Sequence, residues 1–180
     1  PGGGGLAYVA RRAAEMASAG NANADLLKFV IDGFTNAAMA KVGTGAIESR
    51  KLGYLLWSDV VVPNKDELLF VAIAQAKAMF DSGYRPPVKT LFPVAGRSAV
   101  ATIKGQLANM RDGGFISAHD FHISTLIAEV VCGGDVDAGS LVDEEYLMTL
   151  ERERFCALLE HPKSQERIMG MLQTGKPVRN

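Results

Sequence analysis

The stretch that decides the fold is VDEEYLMTLERERFCALLEHPKSQERIMGMLQTGKPVRN, residues 142–180. Its first part predicts a helix that begins after Asp143, because an aspartate caps a helix N-terminus and the carboxylates of Glu144 and Glu145 favour the positive end of the helix dipole. Apolar residues then recur at helical spacing, and they are Leu147, Leu150, Phe155, Leu158 and Leu159. We therefore expect an amphipathic helix with one apolar stripe and one charged face.

The second part of the stretch predicts another helix with clear ends. Pro162 suits the first helical position, and Ile168 lies on the expected apolar face together with Met171 and Leu172. Gly175 can take the left-handed conformation that closes a helix, and Pro177 prevents its continuation. A fold that is mainly α-helical is therefore expected at this end of the chain.

The rest of the chain repeats this pattern of apolar stripes between helix-starting and helix-ending residues. Gly20 ends an Ala-rich first helix, and Asn23 is predicted to cap the second. Further helices are predicted to begin near Thr44, Asn64 and Ser117, and one more precedes the Ser117 cap. The total is seven or eight helices.

One segment is predicted to be a β-strand. YLLWSDVVV, residues 54–62, is rich in aromatic and β-branched residues and ends at Pro63. Residues 89–93 are also expected to run extended. A lone strand cannot satisfy its edges, so this one needs a sheet that the chain does not visibly supply, which suggests missing sequence.

Composition and charge indicate a soluble globular protein and argue against several classes of partner. The 180 residues are enough for one domain with a core, and 48% of them are hydrophobic. A net charge of −1 gives no electrostatic reason to expect binding to nucleic acid or to a membrane surface. The apolar runs are shorter than the roughly 20 residues that a membrane-spanning helix needs, so we expect no membrane insertion.

The two cysteines give an expectation about the cellular compartment. Cys132 and Cys156 lie in apolar helical settings and do not have C-x-x-C spacing. Buried free thiols are therefore expected rather than a disulfide, and the N-terminus has no basic-then-apolar signal pattern. These features predict a cytoplasmic protein.

Several motifs resemble one enzyme family in their order and spacing. They are PGGGG at residues 1–5, which resembles a Pro-Gly-x-Gly-Gly turn, AAMAKVGTGAIESRKLGYL at 37–55, GYRPP at 83–87, and ERERFCALL with SQERIMGMLQTGKPVRN at 151–180. Together they resemble the C-terminal end of the crotonase (enoyl-CoA hydratase/isomerase) superfamily, in the form fused to bacterial 3-hydroxyacyl-CoA dehydrogenase. The resemblance implies that residues 1–180 are a single domain, the C-terminal helical portion of a crotonase-like (α+β) domain, mainly α with one or two short strands.

The same resemblance implies a function for the parent protein. Such an enzyme acts in fatty-acid β-oxidation, hydrates a trans-2-enoyl-CoA and oxidises the 3-hydroxy product with NAD. The family's oxyanion-hole donors and both of its catalytic glutamates precede the Pro-Gly turn, so we expect the catalytic and NAD-binding parts upstream of this chain. The chain would then contain no catalytic residue, would be inactive alone, and would contact only the acyl-CoA substrate.

Three residues are candidates for that contact by resemblance. Gly2 matches the glycine whose N–H faces the active-site water, Phe155 matches an aromatic near the adenine of CoA, and Lys176 lies near a basic residue that could meet a phosphate. Each has a local alternative. Residues 2–5 can be a flexible end or a leftover linker, Phe155 can belong to the core, and a cation at Lys176 is favourable beyond any helix C-terminus.

Two other charged or polar groups have ordinary explanations. His119 and His122, with Asp120 between them, could form part of a metal site, but polar residues at a helix start are common and no third ligand has a convincing spacing, so no metal is predicted. The acids and bases of residues 144–154 are predicted to form a solvated helix face with i, i+3 pairs.

A non-catalytic role is the alternative function. Several predicted helices have apolar stripes that would need a sheet to pack on, and such surfaces are often covered by another copy of the same chain. We therefore expect self-association as a dimer or higher, and the alternative is a helical module for oligomerisation or interaction.

Overall fold

Eight α-helices form most of the regular structure in residues 2–20 and 25–180, which this computed structural model describes. They are α1 (Gly5–Gly20), α2 (Leu26–Ala38), α3 (Ala46–Lys51), α4 (Leu68–Asp81), α5 (Gly96–Asp112), α6 (Ala118–Cys132), α7 (Glu144–Leu159) and α8 (Pro162–Thr174), with a 3₁₀ turn at Lys65–Glu67 before α4. Two short strands, β1 (Phe92–Pro93) and β2 (Leu141–Val142), pair antiparallel. The expected mainly helical fold with one or two short strands is confirmed.

The larger of two compact units consists of the described part of Pro1–Val42 together with Thr90–Asn180. Helix α6 lies at its centre and packs against α1, α2, α5 and α7. Its central position follows from its sequence, because Ile127, Ala128, Val130 and Val131 place apolar side chains on more than one face and all are buried. Helix α1 faces this core with a row of alanines, which permits close approach of the helices; these are Ala7, Ala10, Ala13, Ala14 and Ala17.

The helix ends of the larger unit follow from local capping. Ser117 and Asp120 form the predicted capping box of α6, and the side chain of Asp143 accepts a hydrogen bond from the Tyr146 N–H at the start of α7. Gly175 closes α8 with a φ of 66°, as predicted. Asn23, the predicted cap of α2, lies outside the described residues, and the carboxylate of Asp25 caps that helix.

The smaller unit, Gly43–Lys89, contains α3, the 3₁₀ turn and α4. The prediction of a strand at residues 54–62 is wrong, since this segment forms turns and irregular structure. The guanidinium of Arg50 donates to the carbonyl oxygens of Leu56 and Asp59 at 3.2 and 2.9 Å, and the Asp59 carboxylate accepts the Leu56 N–H at 2.8 Å. These bonds close the segment on itself and use backbone groups that a strand would need for pairing.

The two cysteines differ in burial. Cys132 is buried, and burial raises the pKa of its thiol to about 12, but Cys156 is exposed, so the expectation that both thiols are buried is wrong. Cys156 ends up outside because only one side of α7 faces the rest of the larger unit. No helix among the described residues has the length and apolar character to cross a membrane.

Polar contacts join the N-terminal ends of α6 and α8. The Nε2 atom of His119, a residue only 2% exposed, lies 3.1 Å from the Ser164 hydroxyl. The Arg167 guanidinium donates to the Asp120 carboxylate at 2.7 Å and to Asn180 of the C-terminal segment. Burial lowers the pKa of His119 to about 4, and the nearby charge of Arg167 adds to the effect. The imidazole of His119 is therefore neutral at physiological pH.

We expect the His119→Gln protein to lose much less stability than the wild type does when the pH falls from 6.5 to about 4. The imidazole takes up a proton near pH 6.5 when the chain is unfolded but only near pH 4 when it is folded. The contribution of the neutral imidazole to the free energy of unfolding is therefore fully present above pH 6.5. It decreases by about 3 kcal/mol as the pH falls from 6.5 to about 4. Urea unfolding at about pH 7.5, 5.5 and 4 measures this difference.

His122→Gln is the matched control, because His122 is on the same helix and is exposed. It should keep most of the wild-type dependence of stability on pH, because the charge of His122 contributes less to the lowered pKa of His119 than burial and Arg167 do. If the His119→Gln protein loses stability between pH 6.5 and 4 as steeply as the wild type does, then protonation of His119 does not cause the loss of stability at low pH.

Candidate ligand site at the glycine turn

The first described residues form a turn directly before α1, which we call the glycine turn, residues 2–4. Gly4 has a φ of 94°, a conformation that side-chain-bearing residues rarely adopt, and its carbonyl oxygen accepts the first helical hydrogen bond, from the Tyr8 N–H at 3.0 Å. A glycine at this position has no side chain with which to cap the helix. The N–H groups at the start of α1 must therefore find an acceptor elsewhere.

That acceptor is the carboxylate of Glu151, in the middle of α7. One oxygen accepts the Gly4 N–H at 3.2 Å, and the other accepts the N–H groups of Leu6 and Ala7 at 3.1 and 3.2 Å. Glu151 is only 1% exposed. A buried carboxylate is costly unless hydrogen bonds and favourable charge compensate for it, and the positive end of the α1 dipole supplies both.

Helix α7 also holds the turn on either side of Glu151. The ring of Phe155 lies against Gly2 so closely that a Cβ added at Gly2 would overlap it. The side chain of Met148 lies beside Gly4, where an added Cβ would be 3.7 Å from its Cε. Positions 148, 151 and 155 are three and four residues apart and therefore share one face of the helix.

Two of the three predicted ligand residues, Gly2 and Phe155, are thus in contact. The alternative that Phe155 belongs to the core is wrong, because its side chain is 38% exposed. One side of the ring packs on the glycine turn and part of the ring remains open to solvent. This packing is enough to explain why position 2 is a glycine, because any larger residue would overlap the Phe155 ring.

Lys176 is not brought together with the other two. It follows Gly175, the residue that ends α8, and its backbone N–H donates to the Thr174 hydroxyl at 3.2 Å. Helix α8 has 13 residues and is about 20 Å long, so Lys176 lies that far along the axis from the turn between α7 and α8. Its side chain is exposed, as expected for a cation beyond a helix end.

The geometry limits the chemistry that the glycine turn can support. All the recorded hydrogen bonds of Glu151 go to the α1 backbone, so this carboxylate is not directed at a substrate proton. The start of α1 is likewise occupied and is not free to hold a phosphate. What remains accessible is a partly open aromatic ring beside backbone groups, which suits contact with a flat apolar ligand.

Sequence reasoning missed Glu151 and assigned it to a solvated face, which is wrong. Arg154 was assigned to the same face but pairs with Glu129 of α6 at 2.8 Å. A signal for Glu151 was present, because it lies four residues after Leu147 and four before Phe155, on the apolar stripe. A charge in such a stripe indicates a buried partner, although the partner itself could not be read from the spacing.

The histidines form a cluster but not a metal centre. His119, His122 and His161 have ring centroids 4.4 to 6.1 Å apart. His161, which sequence analysis did not include, comes from the N-cap of α8, where its Nδ1 accepts the Lys163 N–H at 3.2 Å. Within the described residues no group of three or more potential ligands has the geometry to hold a metal ion.

A groove of 610 Å³ lies elsewhere in the larger unit and contains none of the predicted ligand residues. Its walls come from the end of α1, the start of α2, β1 and α5. The hydroxyls of Ser18 and Thr102 in these walls donate to carbonyl oxygens of their own helices. We assign no ligand to this groove, because the polar side chains of Ser18, Asp25 and Thr102 in its walls already bond within their own helices.

Comparison with known proteins gives one informative similarity. No protein-family model matches the chain, and no solved structure matches it. Over 147 residues, 82% of the chain, it is 43% identical to a "Probable 3-hydroxyacyl-CoA dehydrogenase" from Bacillus subtilis (strain 168). The chain spans 19% of the length of that curated relative. It is therefore similar to one segment of a much longer protein.

Proposed function

We propose that this chain is the C-terminal part of a fatty-acid β-oxidation enzyme, a 3-hydroxyacyl-CoA dehydrogenase that also has an enoyl-CoA hydratase-like domain of the crotonase type. The observation that carries the proposal is the 43% identity to a probable 3-hydroxyacyl-CoA dehydrogenase over 147 residues. The order of the crotonase-like motifs from PGGGG to GKPVRN supports the second half of the proposal. The expected cytoplasmic location belongs to the same proposal.

Within that parent we assign to this chain a share in acyl-CoA binding and no chemical step. NAD would accept a hydride from the 3-hydroxyacyl substrate, but dinucleotides bind to parallel β-α-β units, and the strands of the described residues are two short antiparallel ones. The residues present do not fit NAD, so we place NAD binding and the proton-moving glutamates in other parts of the parent. The chain alone is expected to be inactive.

The contact with acyl-CoA would centre on Phe155. The open part of its ring can stack on the adenine, while the glycine turn supports the opposite side and supplies the Gly2 N–H. Lys176 would meet a phosphate as an exposed point charge. The carboxylate of Glu151, next to the turn, is already bonded to backbone N–H groups, as suits a surface that binds the distal end of CoA and takes no part in the chemistry.

Phe155→Ala should weaken binding of CoA to the 180-residue chain by about tenfold, because stacking of a base on an aromatic ring contributes about 1–3 kcal/mol. Its effect on stability should stay below the 3–5 kcal/mol typical of a buried phenylalanine, since the ring is partly exposed. Phe155→Tyr should bind CoA as the wild type does. Calorimetric titration with CoA and urea unfolding provide the two measurements.

Leu159→Ala is the matched control, because Leu159 is also 38% exposed and lies one turn further along α7. Unchanged CoA affinity in Phe155→Ala, or an equal loss in Leu159→Ala, would remove the stacking assignment. Lys176 is tested separately, because it does not lie beside Phe155 and is not expected to meet the 3′-phosphate next to the adenine. Lys176→Ala should weaken CoA binding at low ionic strength, whereas Lys163→Ala, which changes an exposed lysine at the start of α8, should not. Equal affinities of the two variants for CoA would remove Lys176 from the site.

A second candidate function is self-association, and the smaller unit supplies a specific reason for it. No residue of α4 is buried, although most of the helix is apolar, and Phe80 is 83% exposed. Leu68, Leu69, Ala72, Ala76 and Met79 line one side of this helix. An exposed apolar surface of this kind marks an interaction site in proteins.

We propose a second copy of the chain as the occupant of that surface. A polar partner would lose hydration without compensation there, whereas a second α4 presents the same apolar side.

Leu69→Glu should convert the dimer to a monomer in light-scattering measurements at tens of micromolar, because it places two carboxylates in the apolar contact. Phe115→Glu, a control at an exposed position of the larger unit, should remain dimeric. A monomeric wild type, or a Leu69→Glu protein that remains dimeric, would contradict this arrangement.

A further inference from the structure

The three hydrogen bonds of Glu151 do more than satisfy the start of a helix. They connect α7 to residues that are 144 to 147 positions away in the sequence. Glycine-rich chain has more conformational freedom than any other, and residues 2–5 are all glycine. A segment of this kind keeps a single shape only where other groups hold it, and Glu151 is the polar group that does so.

The position of Glu151 on α7 links this support to the candidate ligand site. Phe155 lies one helical turn after it and Met148 lies one turn before it, on the same face. Phe155 contacts Gly2 and Met148 lies beside Gly4, so the glycine turn faces α7 at three successive points. The carboxylate of Glu151 lies between the other two residues, and it fixes the position of the glycine turn along the axis of α7.

The contact between Gly2 and the Phe155 ring depends on the position of the glycine turn along the α7 axis. A rise of one residue along a helix is about 1.5 Å, and a turn displaced by that amount would no longer cover the same side of the ring. Without this support the Phe155 ring could change its orientation, and the side that stacks on the ligand could become mobile or covered. Binding to a surface that is already in place avoids the entropic cost of ordering it.

We propose that Glu151 is a positioning residue of the acyl-CoA site, which holds the glycine turn against α7 so that Gly2 supports the ring of Phe155. This inference rests on the proposed acyl-CoA binding. Glu151 does not touch the ligand in this arrangement. It acts through the N–H groups of Gly4, Leu6 and Ala7.

The test is Glu151→Gln in the 180-residue chain, with CoA as the ligand. The amide keeps one oxygen acceptor and replaces the other with an NH₂ group, so the bond from the Gly4 N–H and the two bonds from the Leu6 and Ala7 N–H groups cannot all form. The bonds that remain go to a neutral acceptor and are weaker than those to a carboxylate. We expect the dissociation constant for CoA to rise about tenfold and hydrogen exchange at the Gly4, Leu6 and Ala7 amides to accelerate. Exchange in α5 and α6 should not change.

Glu153→Gln is the matched control, because Glu153 is an exposed glutamate of the same helix. It should bind CoA as the wild type does. Gly4→Ala is a second variant, which disturbs the turn without altering Glu151, since alanine does not favour a φ of 94° although a Cβ has room there. It should weaken CoA binding in the same way even if Glu151→Gln does not fold.

The outcomes separate this inference from the proposed function. If Phe155→Ala loses CoA affinity while Glu151→Gln and Gly4→Ala retain it, Glu151 is only a structural cap, and the positioning role is overturned while the site stands. If the wild type does not bind CoA, acyl-CoA binding by this chain fails and the positioning role fails with it. Fast exchange at Leu6 and Ala7 in the wild type would overturn the positioning role even if CoA binds.

Discussion

The buried carboxylate of Glu151 is the interaction on which the arrangement of the glycine turn depends. It supplies the start of α1 with the acceptor that Gly4 lacks, and in return α1 compensates a charge that would otherwise be very costly at 1% exposure. Hydrogen bonds to a charged group are stronger than those between neutral groups. The first and seventh helices are therefore fixed in register, and Phe155 meets Gly2 as a consequence.

The sequence predicted the helices well because their ends are determined locally. Ser117 and Asp143 cap the residues that immediately follow them, and Pro162 and Gly175 define the two ends of α8. Fold class follows from such signals. The strand at residues 54–62 was wrong because β-propensity expresses how well a residue fits a sheet, and the backbone here is instead bonded to Arg50.

The candidate site could be predicted only in part. Resemblance supplied Gly2, Phe155 and Lys176, but the contact between the first two depends on packing over more than 150 residues of chain, which no local pattern encodes. Glu151 was missed for the same reason, since its partners are backbone N–H groups that carry no sequence signal. The histidine cluster likewise needed His161, which joins His119 and His122 only when α8 packs beside α6.

The two functional proposals draw on different parts of the chain, the glycine turn with α7 and the surface of α4, and they are compatible. The most direct test of how Glu151 holds the glycine turn is a nuclear Overhauser measurement on the free chain in solution. Cross-peaks between the Gly2 Hα protons and the Phe155 ring protons are expected in the wild type and should vanish in Glu151→Gln. Their absence from the wild type, or their persistence in a folded Glu151→Gln protein, would contradict the role assigned to this carboxylate.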